Sequence, residues 1–241
     1  MSVSNAEQVT LKIAFDHSDS YPWTLKNRTG IDFYHINRVA KKLNCKIEYI
    51  AYPWKRCLHT LKNNKVDGVM VGSFKESRME IGVYPMKNNS HDPDKRMHSS
   101  SYSLYVLKDS PLSFDGRKLV NLTGDIGIPR GYSIGEKLTQ LGANVTEFES
   151  TDRIFLLLSK GRLQGAVTLT PIGDHAISKD PALASQIKKI STPLVEKPYY
   201  LILSHKLWNE QPELCNKLWA EVEKVRESDA YKKAYHDFLS Q

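Results

Sequence analysis

Sulfur chemistry has little to work with in this chain. Three cysteines, Cys45, Cys57 and Cys215, are spread through 241 residues, and no Cys-x-x-Cys pair occurs. That spacing gives no support to a zinc finger or a thioredoxin-like redox centre. An odd count leaves at least one thiol unpaired, and Cys57 stands at an apolar helix position that suits a buried structural thiol. Long apolar runs are missing too, so no segment reads as a bilayer span. Residues 1–10 are polar and lack the apolar centre of a secretory signal. Ser4-Asn5-Ala6 reads as the scar of a removed tag, which puts the mature start near Glu7 with a signal peptide already gone.

Charge excludes less than its sign suggests. Lys and Arg number 34 against 27 Asp and Glu, a formal net charge of +7. The cations are dispersed, with doublets at Lys41-Lys42, Lys188-Lys189 and Lys232-Lys233 but no basic block. Dispersed charge reads as solvated surface, and no nucleic-acid motif accompanies it. Neither a Ser–His–Asp set nor metal-ligand spacing is visible. His17, His35 and His59 are the acid–base candidates of the first half. His17 closely follows the first strand, whereas His35 and His59 fall on helix faces. The reading is therefore of a protein that is not an enzyme and needs no metal or cofactor.

What is present is an alternating pattern, written twice. Leu11–Phe15 predicts a strand, and Ile31–Leu43 a helix, because Ile36, Val39, Ala40 and Leu43 recur at helical spacing. Ile47–Ala51 is a second strand. Trp54, Cys57, Leu58 and Leu61 mark a short helix, and Val66–Val71 a third strand. Strand–helix alternation of this kind builds a parallel sheet with right-handed crossovers. The order returns as strand Asp125–Ile128, helix Ser133–Leu141, strand Val145–Phe148, helix Asp152–Ser159 and strand Gly165–Leu169. Two α/β lobes follow. Asn88–Ser101, polar and holding His91 and His98, reads as a loop. Tyr102–Leu107 and Tyr199–Leu203 read as linking strands, and the C-terminal stretch is helical. The expected division is lobe 1 from 1–100 with 196–241, and lobe 2 from 101–195. Two crossings restrict relative motion to a hinge.

Ligands of open parallel sheets bind beyond the carboxyl ends of the strands. That rule selects Asp16, Tyr21 and Trp23 after the first strand, Trp54 after the second, and Ser73 and Arg78 after the third. In the second half it selects Arg130, Tyr132 and Ser133, then Thr151-Asp152-Arg153, then Thr170. Facing lobes would gather these loops across a cleft, a favoured place for a small molecule. Tyr21, Trp23, Trp54 and Tyr132 could wall or stack on a ligand, or serve as core. Ser133 opens the next helix, so its hydroxyl could hold an anion or simply cap.

Tyr21-Pro22-Trp23, Gly30-Ile31-Asp32-Phe33, Pro53-Trp54-Lys55-Arg56, Val66-Asp67-Gly68 and Lys75-Glu76-Ser77-Arg78 occur in this order, and Asp115–Lys118 and Gly161–Ala166 follow. Together they resemble the family 3 extracellular solute-binding proteins of ABC importers. The resemblance implies a two-lobed periplasmic-binding-protein type II fold with mainly parallel sheets and a two-stranded hinge. It implies a periplasmic monomer that delivers an amino acid or related small carboxylate to a membrane permease. It also assigns Arg78 to the ligand carboxylate, which a planar guanidinium fork fits bidentately, with Ser73 beside it and Trp54 as an apolar wall.

The pattern departs from the family in one place. Amino-acid binders hold the ligand ammonium with an acidic residue just after the last strand of the second lobe, and here the chain reads Val167-Thr168-Leu169-Thr170-Pro171. Three readings stay open. Asp16 or Asp19 supplies the charge from the first lobe, Asp174 reaches in, or the ligand has no α-amino group. Arg130 adds positive potential that favours an anion. Two rival functions share the fold: a receptor's extracellular sensing domain and a dehydratase-like enzyme.

Overall fold

The computed structural model describes residues 8–239, so the expected scar at Ser4-Asn5-Ala6 and the start near Glu7 lie outside the described residues. The chain divides into two compact units, one running up to His98 and resuming at Pro198, the other spanning Ser99–Lys197. In chain order, β1 (Thr10–Asp16), α1 (Ile31–Lys42), β2 (Lys46–Tyr52), α2 (Trp54–Lys62) and β3 (Gly68–Ser73) come first. A 3-10 turn over Glu76–Glu80 and the hairpin β4 (Met86–Lys87) and β5 (Ser90–His91) complete this stretch. The second unit holds β6 (His98–Leu107), β7 (Ser113–Phe114), β8 (Leu119–Val120), β9 (Ile126–Pro129), α3 (Gly135–Gln140), β10 (Val145–Phe148) and α4 (Thr151–Ser159). It continues through β11 (Gly165–Leu169), α5 (Thr170–Lys179), α6 (Pro181–Gln186) and β12 (Ile187–Lys189). The chain passes back to the first unit along β13 (Val195–Leu203), and α7 (His205–Glu210), α8 (Pro212–Glu227) and α9 (Asp229–Leu239) complete that unit.

Both units are wound alike. In the first, β1 lies between its parallel partners β2 and β3, and β13 adds antiparallel to β3. In the second, β9 lies between its parallel partners β10 and β11, and β6 adds antiparallel to β11. The central strands read as apolar runs because both sheet faces are covered: β11 is buried along its whole length. The first unit's core joins Ile31, Ile36 and Val39 of α1 to Leu218, Val222 and Val225 of α8, beneath Leu11, Ile13 and Phe15 of β1. The second unit packs Ile154, Phe155 and Leu158 of α4 on Tyr105, Ala166 and Ile187. Burying each such side chain contributes about 1.5–3 kcal/mol.

Helix ends follow from local chemistry. Asn44 and Asn64, just past α1 and α2, sit in the left-handed region (φ 52° for both). Cys45 and Lys65 N–H then donate back to Ala40 O and Thr60 O at 2.9 Å, closing the last turns. At the other end of α1, Gly30 has φ 107°. A Cβ there would lie 2.3 Å from Trp23 O, the carbonyl that accepts from Asp32 N.

Two readings of the sequence are corrected. Asn88–Ser101 is not loop throughout: it contains β5, a 3-10 turn at Pro93–Lys95 and the start of β6, where His98 is buried. The helix expected from Ser133 begins only at Gly135, so Ser133 is not its cap. Helices α5 and α6 and the short strands β7, β8 and β12 were not anticipated from the residue pattern.

Candidate functional site

In the first unit, β1 and β3 run parallel side by side, so Asp16 and Ser73 stand at the same edge of the sheet. The chain leaves β3 through a bulge. Tyr200 pairs with Gly72 and Ile202 with Val69, so β13 advances two residues where β3 advances three. The extra residue falls at Val71, which takes φ 67°, a costly conformation for a β-branched side chain. Strain of this kind is retained where the surroundings dictate it, and it collects at ligand clamps.

Just beyond, the Glu76–Glu80 turn folds Arg78 back on the strand end. The side chain is buried. Its Nη1 donates to Ser73 O at 2.9 Å and to Ser73 Oγ at 3.1 Å. The guanidinium carbon lies 5.5 Å from the centre of the Trp54 ring, a cation–π distance. Tyr84 Oη donates to the same Ser73 carbonyl at 3.0 Å, and burial pushes its hydroxyl up to about 12. Trp54, the first residue of α2, thus forms a wall under a buried cation that bonds to Ser73 twice. A guanidinium so braced presents a fixed fork to a carboxylate.

Asp16 is half-buried, and burial pushes its carboxyl above the usual range. Its Oδ1 accepts from Ser18 N at 3.1 Å and lies 3.3 Å from His17 Nδ1. Asp19 is engaged locally, accepting from Lys26 N at 2.7 Å. Tyr21 stacks obliquely on Phe238, with ring centres 5.7 Å apart. Trp23 is no wall. Its ring lies parallel to His98 at 3.6 Å and to Tyr235 at 5.5 Å, packed within the core.

In the second unit, Ser133 is buried and receives Lys197 Nζ, at 3.2 Å to its Oγ and 3.3 Å to its carbonyl. Lys197 was not among the residues selected from the sequence. It lies on β13, far along the chain, and no local pattern marks it. Tyr132 meets Tyr102 edge-on at 6.4 Å. Arg130 ion-pairs with Glu149, and both side chains are exposed. Thr170 plays a structural part. Its hydroxyl donates to Ser101 O at 3.0 Å and meets Ser101 Oγ at 2.8 Å and Ser103 Oγ at 2.7 Å. Asp174 is engaged within the second unit. Tyr105 Oη donates to its Oδ1 at 2.9 Å and Lys189 Nζ to its Oδ2 at 2.5 Å.

The three cysteines are free and buried, and burial pushes the Cys57 thiol up to about 12. Among the described residues, no helix is long and apolar enough to cross a membrane.

Known proteins agree with this architecture. A curated relative, the probable histidine-binding protein of Neisseria gonorrhoeae, is 24% identical over 216 residues, covering 89% of this chain and 76% of its own. The substrate-binding protein of an amino acid ABC transporter superposes with a TM-score of 0.73 at 18% identity, over 96% of this chain and 100% of its own. A histidine kinase sensor domain with similarity to periplasmic binding proteins superposes with a TM-score of 0.75 at 15% identity, over 96% of each chain. The fold is thus of the α/β periplasmic-binding-protein kind. Residues 11–241 match the bacterial extracellular solute-binding proteins, family 3, and the chain belongs to that family.

Proposed function

We propose that this chain captures a small ligand carrying a carboxylate, an amino acid or a related acid, by hinge closure in the periplasm and delivers it to the permease of an ABC importer. Arg78 carries the reading. A buried guanidinium, lying over Trp54 and held by Ser73 at the carboxyl end of β3, matches the planar geometry of a carboxylate. The relatives' names support the ligand class, since one is a probable histidine-binding protein and another serves an amino acid transporter. Asp16 supports a ligand that also carries an ammonium: burial is the largest influence on its carboxyl and raises it, so that a cation there would be welcome. The role is binding rather than catalysis. Ligand sensing is the second reading, favoured by the likeness to a histidine kinase sensor domain.

The test is a thermal-shift screen over amino acids, organic acids and polyamines, followed by calorimetry on Arg78→Met. Affinity for a carboxylate ligand should fall by about 30-fold or more, the lower bound for truncating one partner of a buried charge pair. Unchanged affinity in a folded Arg78→Met protein removes Arg78 from the site.

A further inference from the structure

The polar stretch after Pro85 folds into a tight hairpin that reaches back to the site. Asn88 and Asn89 take φ 52° and 62°, the left-handed pair that a two-residue type I′ turn requires. The turn sets Met86 opposite His91 and so aims His91 back at the body of the unit. There His91 Nδ1 lies 2.7 Å from Tyr200 Oη. Burial raises the Tyr200 phenol above its ordinary range, which keeps it protonated and able to donate.

Four rings close on one another at this point. Phe74 meets His91 at 4.5 Å and Tyr84 at 5.3 Å, and Tyr200 meets Tyr84 and His91 at 5.8 Å each. Phe74 directly follows Ser73, and Tyr84 donates to the Ser73 carbonyl that Arg78 also uses. A carbonyl oxygen has two lone pairs, so the two donors are compatible and each constrains the other. Tyr200 pairs in register with Gly72, where a Cβ would stand 2.1 Å from Ile202 Cδ1, so side chains fill the space over this residue.

We infer that Phe74, Tyr84, His91 and Tyr200 form a positioning box that fixes the Ser73 carbonyl and through it the Arg78 guanidinium, with His91 as its latch. The inference rests on the proposed role of Arg78 for its functional meaning, but its geometry is testable without ligand. Phenylglyoxal modification of Arg78 in the whole chain, followed by peptide mass spectrometry, reads the side chain's exposure directly. Tyr84→Phe and His91→Leu should each speed Arg78 modification about tenfold, the scale of one lost hydrogen bond, with exposed arginines unaffected. His91→Asn keeps an acceptor for the Tyr200 hydroxyl and should restore the slow rate.

Unchanged Arg78 rates in Tyr84→Phe, which keeps its ring and its packing, overturn the inference. So does His91→Asn reacting as fast as His91→Leu, or fast modification in the unaltered protein. Slow Arg78 in the unaltered protein, fast Arg78 in the variants and no binding by any acid of the screen would instead sink the proposed function and leave the box standing.

Discussion

The charge of Asp16 is held by a balance: burial raises its carboxyl, while bonds from Ser18 and His17 lower it. An ammonium placed beside Asp16 would shift that balance toward the carboxylate. Affinity for an ammonium-bearing ligand should therefore weaken as pH falls through the raised range of Asp16, and Asp16→Asn should flatten the profile in calorimetry. His35 shows the opposite sign. Burial pushes its imidazole from 6.5 down to about 4, while its Nε2 donates to Val222 O at 2.8 Å. Below its unfolded value the unfolded chain takes up a proton that the folded one refuses. Stability from this site is thus complete above pH 6.5 and is lost as pH falls toward 4, approaching about 3 kcal/mol. Urea midpoints between about pH 7 and 4.5 should fall less steeply for His35→Gln than for the unaltered chain.

Elements carry their own constraints. The turn ahead of α1 depends on Gly30, whose φ of 107° and ψ of 162° belong to a region open only to glycine. Gly30→Ala should cost about 1–3 kcal/mol through backbone strain alone, more if Trp23 O must move. An equal urea midpoint would show that the turn relaxes without loss. Helices α1, α2 and α4 and their strands were legible because apolar residues recur at the helical period or run unbroken. The bulge at Val71 was not legible. Nothing in Val69-Met70-Val71-Gly72 marks an unpaired residue, and only the register against β13 creates one. Helix α5 was missed for a different reason. Its opening Thr170-Pro171 resembles a turn, yet proline is well tolerated in the first turn of a helix, where its missing N–H would have no intrahelical partner.

On the scale of the whole molecule, two units wound in the same order each bury their own core. A ligand that binds only the native state stabilises it by about 2.7 kcal/mol at a hundred times its dissociation constant. For a chain of this size that corresponds to a rise in Tm of about 5–10 °C. The expected result of the screen is a rise of that order for at least one amino acid or small organic acid. Shifts given only by polyamines would contradict a carboxylate ligand.

The sequence by itself determined the α/β class, the repeated strand–helix order and the family, because period and punctuation are local properties of a chain. Tertiary structure decided what each selected side chain does there. Trp23, Arg130 and Thr170 stood in the same kind of loop as Trp54 and Arg78, yet partners distant in sequence engaged each of them. His98 and Tyr235 pack against Trp23, Glu149 pairs with Arg130, and Ser101 and Ser103 saturate Thr170. A loop position tells which strand end a residue occupies. Whether its polar atoms are already spent depends on contacts that form only when remote segments pack.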